Sequence, residues 1–323
     1  MASQITLDGA DVAGLWTEYI NRKFVPGLKA RTIFSDYAEP ASIPRGAGGH
    51  ICIWNVPTMT EGSVAALSAC SSGTKTDMIT ITKVTAGVTS YGTWFEIDDL
   101  AEQTQIRGAL DQYRDIVEYA GGTAIDRLII NEAASGLTSF LHAGDVSTGG
   151  VTLAVGDQLK ALDLPVIAEY FRSNNAVGWD KLSGDFMLGI HPAVEKTFVT
   201  HVTTDELSWA EVNKHVPMGF EQLINNHQFV GRLNGVSVLR TTMIATVTEP
   251  DVAAYVNVAL ARWAVGWLGI GTAPKQASIK IKRPGPQTTN DPLDMCNTMG
   301  WKVQAAAKVL DANRGLIVYS STT

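Results

Sequence analysis

An α+β fold is predicted for this chain of 323 residues, and three observations predict it. Helical and strand periodicities are both present, yet they do not alternate as regular βαβ units. One long amphipathic helix follows a group of strands, and the last part of the chain is again rich in strands. The length allows a core that needs no disulfide or metal staple. Hydrophobic residues make up 45% and charged residues only 18%. That balance excludes disordered and fibrous classes and implies that part of the surface is covered by something.

The elements follow in order. Leu7 to Phe24 reads as a helix, because Val12, Leu15, Trp16, Tyr19 and Ile20 recur at three- and four-residue spacing before Pro26-Gly27 stops it. From Ala38 to Gly49 the stretch AEPASIPRGAGG carries two prolines and three glycines, which predicts an arm rather than a packed element. Between Ile51 and Thr74 the only formal charge is Glu61, while Pro57, Gly62, Ser63, Ser71, Ser72 and Gly73 preclude a long helix. An outward leg, Ile51 to Val56, and a return leg, Met78 to Val84, form a two-stranded excursion reaching up to about 60 Å at about 3.3 Å per residue. Periodicity alone fits either a projecting hairpin or one folded on its own core. Left in water, a loop this apolar is a solvation liability. A further strand, Thr93 to Ile97, leads into the long helix.

That helix is predicted from Asp98, with Leu100, Ile106, Leu110, Tyr113, Val117 and Ala120 on one face and Asp98, Asp99 and Glu102 at its positive end. Between residues 96 and 118 seven acids (Glu96, Asp98, Asp99, Glu102, Asp111, Asp115, Glu118) face only Arg107 and Arg114, so one face is expected to be acidic. Gly121-Gly122 is expected to bend or weaken the helix before Ile125, Leu128 and Ile129 resume the apolar stripe. Further on, a helix is expected from Val155 to Arg172, interrupted near Pro165, then a strand at Phe186–Ile190 and a helix from Ala193 to His201. Asn234-Gly235 gives the best hairpin turn signal, since both central residues accept positive φ. Ser278–Lys282, Trp301–Leu310 and Leu316–Ser320 read as strands.

No catalytic, cofactor or metal site emerges. Cys52, Cys70 and Cys296 lie far apart without a CxxC pair, as expected of buried free thiols in a reducing compartment. The histidines include no HExxH; His191 and Glu195 are spaced i, i+4, but no third ligand accompanies them. Gly235-Val236-Ser237-Val238-Leu239 lacks the second glycine of a nucleophile elbow, and Gly266, Gly269 and Gly271 lack a phosphate-binding lysine. A net charge of −7 argues against a dedicated nucleic-acid binder. No stretch approaches the roughly 18 apolar residues of a membrane helix, and the start lacks a basic region followed by an apolar one. The expectation is a soluble protein made in the cytoplasm.

The order of these parts resembles the major capsid proteins of tailed phages with the HK97-type fold. The ending is similar to that of the N4-like branch: Asp291-Pro292-Leu293, Gly300-Trp301-Lys302, then Ala305-Ala306-Ala307-Lys308-Val309-Leu310-Asp311 and a last apolar strand. Phe229 to Val238, FVGRLNGVSV, resembles the hairpin of that family's axial domain. The resemblance implies an N-terminal arm at 1–45, an extended β-hairpin E-loop at 46–92, a peripheral domain with a long spine helix at 93–155, an axial domain at 156–274, and return strands of the peripheral domain at 275–323. It implies a structural protein that is not an enzyme, forming hexameric and pentameric capsomers of an icosahedral head in the virion, assembled in the host cytoplasm around double-stranded DNA. Partners would be other copies of itself, a portal protein, and separate scaffolding and decoration proteins where these exist, with packaged DNA held by confinement and no membrane. Inter-subunit contacts are assigned to E-loop residues Ile53, Trp54, Val56, Met59, Val64 and Leu67. The DNA-facing acidic surface is assigned to Asp98, Asp99, Glu102, Asp111, Asp115 and Glu118. No residue pattern marks a covalent cross-link between subunits. An encapsulin-like nanocompartment shell is the alternative within the fold; a soluble hydrolase built on Ser237 or on His191 and Glu195 is the alternative of another class.

Overall fold

The computed structural model describes residues 33–44, 50–59, 79–98, 109–144, 153–154, 156–200, 229–249, 252–271, 278–282 and 296–321. The helix expected at Leu7–Phe24 and the site residues Val64, Leu67, Asp99 and Glu102 lie outside these. Within them the chain builds two large sheets and one hairpin that is a sheet of its own.

The first sheet is organised by its longest strand, β13 (Cys296–Val309), which pairs antiparallel with β4 (Thr89–Asp98), β12 (Ser278–Lys282) and β11 (Val265–Ile270). β1 (Glu39–Ile43) lies parallel to β11 at the end of this sheet. The arm expected from Ala38 therefore includes a packed strand. Pro40 lacks an N–H, but a terminal strand tolerates it because half of its backbone groups face away from the sheet. Ile33, Phe34, Tyr37 and Ala38, just before β1, are buried in the core.

Across this sheet lies α1 (Ala109–Gly136), about 42 Å long at 1.5 Å per residue. Val117, Ile125, Ile129, Ile130 and Ala133 are its buried stripe, and the last four share a core cluster with Val265, Trp267, Val303 and Ala305. Gly121-Gly122 does not break it. The helix runs through the pair, and the Thr123 hydroxyl donates to the carbonyls of Tyr119 and Ala120 beside it. Burial of the flanking Val117 and Ile125, about 1.5–3 kcal/mol per large side chain, exceeds the helix-propensity cost of about 1 kcal/mol per glycine. Nor does a helix begin at Asp98, which is the last residue of β4. The alternation that keeps Ile97 buried and Glu96 exposed extends the strand to that point.

Close backbone approach fixes where β4 meets β13. A Cβ on Gly300 would stand 2.7 Å from the Thr93 carbonyl oxygen and 2.7 Å from the Trp94 Cβ. Gly300→Ala is expected to destabilise the fold by about 1–3 kcal/mol, measured as a lower denaturant midpoint. An unchanged midpoint would mean that the two strands separate freely.

The second sheet has the order β5 (Phe140–His142), β14 (Gly315–Ser320), β10 (Val252–Leu260), β6 (Phe186–Ile190), β8 (Val236–Arg240), β7 (Phe229–Leu233), with β9 (Thr246–Glu249) also on β10. Helices α2 (Asp163–Ser173) and α3 (Pro192–Thr200) cover it, packing Leu164, Ile167, Phe171, Val194 and Phe198 on Leu188, Ile190, Val236, Val238 and Val318. Pro165 does not interrupt α2. It stands in the first turn, where a missing N–H costs nothing, and Asp163 starts the helix by accepting from the N–H groups of Gly144 and Lys160. Asn234 and Gly235 turn the β7–β8 hairpin at φ values of 51° and 84°. Sheet membership crosses the expected segment boundaries, since Gly315–Ser320 and Phe140–His142 join this second sheet while Val265–Ile270 joins the first.

Candidate assembly surface

The early, sparsely charged stretch forms β2 (Ile51–Met59) and β3 (Ile79–Gly87, which carries Lys83), antiparallel from the rung Ile51 with Gly87 to the rung Met59 with Ile79. Each leg is about 30 Å long at about 3.3 Å per residue. β-Branched residues and threonines recur every second position, which suits a pleated pair with two unlike faces. Val88 N–H donates to the His50 carbonyl at 2.9 Å and closes the base.

Strand alternation separates residues that were expected to act together. Ile53 points to the open face beside Ile51, with Ile81 on the facing strand; these three are 53%, 53% and 58% exposed. Trp54 and Val56 point to the other face and are half-buried. They line a groove of about 420 Å³ against Glu39, Trp263, Leu310 and Arg314 of the same chain. Met59 ends β2, and only its backbone is described. Composition marked the whole stretch as apolar but did not single out Ile51 and Ile81. The rule that neighbouring strand residues face opposite ways would have divided Ile53 from Trp54.

Charged side chains surround Trp263 on the body side of the groove. Trp263 holds a left-handed backbone with φ of 62°, uncommon for a bulky residue. The guanidinium carbons of Arg262 and Arg314 stand 4.8 and 5.4 Å from its ring, a cation–π arrangement. Arg262 pairs with Asp180 at 2.6 Å and Arg314 with Asp311 at 2.9 Å, which orients both. A second exposed aromatic, Trp94 on β4, is 65% exposed.

On α1, Asp115 and Glu118 are exposed as expected, but so are Arg114 and Arg127. Asp111 lies in the first turn of the described helix and Asp98 at the end of β4, each described by backbone alone. Asp126 is fully buried instead. Its two oxygens accept from the backbone N–H groups of Ile33 at 3.0 Å and Ser35 at 2.7 Å, tying the short 3-10 turn Phe34–Tyr37 to the helix. Burial pushes its carboxyl above the ordinary range, opposed by the N–H groups of Ile33, Ser35 and Phe34.

The residues weighed for chemistry have structural partners. Ser237 is buried and donates to Asp185 at 2.9 Å; Arg232 donates to the same carboxylate at 2.7 Å. Burial raises the Asp185 pKa, and Ser237 and Arg232 oppose the rise. His191 stacks on Tyr255 at 4.7 Å, its Nδ1 accepts from Ala193 N–H at 3.1 Å, and burial lowers its pKa. Glu195 pairs with Arg240 at 3.0 Å, so the i, i+4 pair points to different partners. Among the described residues no group of three or more His, Cys, Asp or Glu side chains is placed to hold a metal ion.

No protein-family model matches the sequence, and no curated protein matches it. Solved structures do. The capsid of Ralstonia phage GP4 matches at a TM-score of 0.71 and 10% identity, covering 100% of this chain and 99% of that chain. The chain has an HK97-type capsid fold. The capsid of cyanophage P-SCSP1u matches at a TM-score of 0.61 and 15% identity over 98% of this chain and 96% of that one. The mature capsid of bacteriophage PhiM1 gives 0.58 and 11%, again over 98% and 96%. In the terms of the HK97-type fold, α1 is the spine helix and the β2–β3 hairpin is the E-loop. Both sheets fall inside the match, because the whole length aligns.

Proposed function

We propose that this chain is the major capsid protein of a tailed bacteriophage, assembling into hexameric and pentameric capsomers of an icosahedral head that encloses double-stranded DNA. The observation that carries this reading is the exposure of three isoleucines, Ile51, Ile53 and Ile81, on the open face they share with Asn55 and Lys83, on a hairpin that forms its own sheet. Burying that face on a neighbouring copy returns about 25 cal/mol per Å² of apolar surface, which offsets the entropy of ordering the hairpin. Contacts of this kind run head to tail and close as rings. The capsid fold of the solved neighbours supports the same reading.

The segments 1–45, 46–92, 93–155, 156–274 and 275–323 then serve as N-terminal arm, E-loop, peripheral domain, axial domain and return strands. The sequence likeness of residues 291–311 supports assignment to the N4-like branch. Asp115 and Glu118, with Asp98, Asp99, Glu102 and Asp111, present like charge to packaged DNA, which is held by confinement. A map of filled particles with ordered phosphates along residues 98–118 would refute this. A portal protein and separate scaffolding or decoration proteins complete the head, assembled in the host cytoplasm.

Expression of the full chain followed by sedimentation and negative-stain imaging tests the proposal. Closed shells of uniform diameter are expected, and virions carrying this chain should contain double-stranded DNA. A discrete monomer or dimer at high concentration would contradict it. Shells that hold an enzyme and no genome would assign the chain to a nanocompartment.

A further inference from the structure

The groove behind the hairpin lies on the face opposite Ile51, Ile53 and Ile81, so a contact made through those isoleucines leaves it unaccounted for. Its walls are apolar, with Trp54 and Val56 on β2 and Trp263 and Leu310 on the body of the chain. A volume of about 420 Å³ is that of a pocket that holds a ligand. Two polar groups in the lining lack the partners such groups ordinarily have. Nη1 of Arg314 is shut off from solvent and meets no acceptor among the described residues, while Nε of the same guanidinium is held by Asp311 at 2.9 Å. Glu39 is half-buried and takes part in none of the ion pairs among the described residues. Trp263 adds a third anomaly, a bulky residue kept at φ of 62°. Backbone strain of this kind costs about 1–3 kcal/mol and collects at ligand clamps.

An occupant must therefore bring an acceptor for Nη1, a cation for Glu39 and apolar bulk for the two tryptophans. An anion alone does not fit, since Glu39 and Asp311 outnumber Arg314 in the lining. An ordinary extended strand does not fit either, because its N–H groups would be stranded between apolar walls at about 1–3 kcal/mol each. Proline has no N–H, and a polyproline II segment leaves its carbonyls free to accept. One turn of that helix is three residues at about 3.1 Å each, or about 9 Å. The hairpin wall from Trp54 to Pro57 is three residue steps as well, about 10 Å at about 3.3 Å each. Aromatic-lined grooves take prolines in this way, and a basic residue beside the prolines meets Glu39 in a charge-assisted pair. The hairpin wall belongs to a sheet of its own, so it can shift to let a carbonyl reach Nη1.

We propose that this groove docks a proline-rich segment of a separate protein, a PxxP stretch flanked by arginine or lysine, with prolines between Trp54 and Trp263, a carbonyl on Arg314 and the cation on Glu39. The inference does not rest on shell formation, since the groove is made within one chain and lies off the open face. It is tested by fluorescence anisotropy with the full chain and a labelled synthetic peptide of about ten residues that carries PxxP and one arginine. Saturable binding in the micromolar range is expected. Replacing the peptide's arginine by leucine should weaken binding to the unaltered chain about tenfold, whereas Glu39→Gln should bind the two peptides alike. Trp263→Gly removes one wall at a backbone angle that glycine accepts, so circular dichroism should be unchanged while affinity falls by about tenfold or more. Three results would overturn the proposal. One is no saturable binding up to about 1 mM peptide. Another is equal affinity for a peptide with both prolines replaced by alanine, which would make the groove a general apolar surface. The third is an arginine effect that survives Glu39→Gln, or an affinity that survives Trp263→Gly, since either puts the peptide elsewhere on the chain.

Discussion

Ile53→Asp is expected to yield folded subunits that fail to close into shells. Ile53 is 53% exposed in the isolated subunit, so the substitution removes little of the subunit's own packing. The thermal midpoint should stay close to that of the unaltered chain. In the proposed assembly the same position is buried on a neighbour, where loss of an isoleucine would cost about 2 kcal/mol and an unpaired carboxylate would add to it. About 2 kcal/mol raises the concentration needed for a single contact roughly 30-fold, and every subunit of the shell repeats the loss. Sedimentation should show unassembled subunits with native circular dichroism. Normal particle yield would remove the hairpin's open face from the interface. Trp54→Ala provides the contrast: its side chain lines the groove over Trp263 and Arg314, so it should loosen the seating of the hairpin on its own subunit.

Asp126→Ala is expected to give the largest loss of subunit stability. The carboxylate is fully buried and accepts two backbone N–H groups at 3.0 and 2.7 Å. Its removal strands both donors, at about 1–3 kcal/mol each, for a total of about 2–6 kcal/mol. The pH dependence has a definite sign. Burial raises the folded-state pKa above the unfolded one, despite the N–H bonds. The contribution of Asp126 to folding is therefore full below the ordinary carboxylate pKa of about 3.9 and is lost as pH rises through the raised value. Urea midpoints of the variant and the unaltered chain should lie furthest apart near pH 4 and draw together towards neutrality. A gap that widens with pH would show that the ionised form is the one the fold favours.

The elements were legible where one local rule dominates. Asn234-Gly235 turned as its φ preferences require, and the strands at Phe186–Ile190 and Ser278–Lys282 lie where alternation or apolar runs put them. Expectations failed where tertiary packing overrode local chemistry. Glycines 121 and 122 sit in a helix held by the core beneath it, and Pro40 sits in a strand whose parallel partner, β11, is more than 220 residues away in the chain. No local pattern carries that information. The hairpin was half legible: low charge found it and alternation divides Ile53 from Trp54, while which of the two faces stays open depends on how the hairpin meets Trp263 and Arg314, far along the chain. Asp126 had no signal at all. An acid in the middle of an acidic helix gives no hint that it is buried against residues 33 to 35.

The most direct test is a cryo-electron microscopy map of the assembled protein at side-chain resolution, examined at the hairpin. The account predicts closed shells in which Ile51, Ile53 and Ile81 of each copy are covered by an adjacent subunit. Particles in which these three side chains face solvent, or a chain that stays monomeric with the hairpin folded onto its own body, would contradict it.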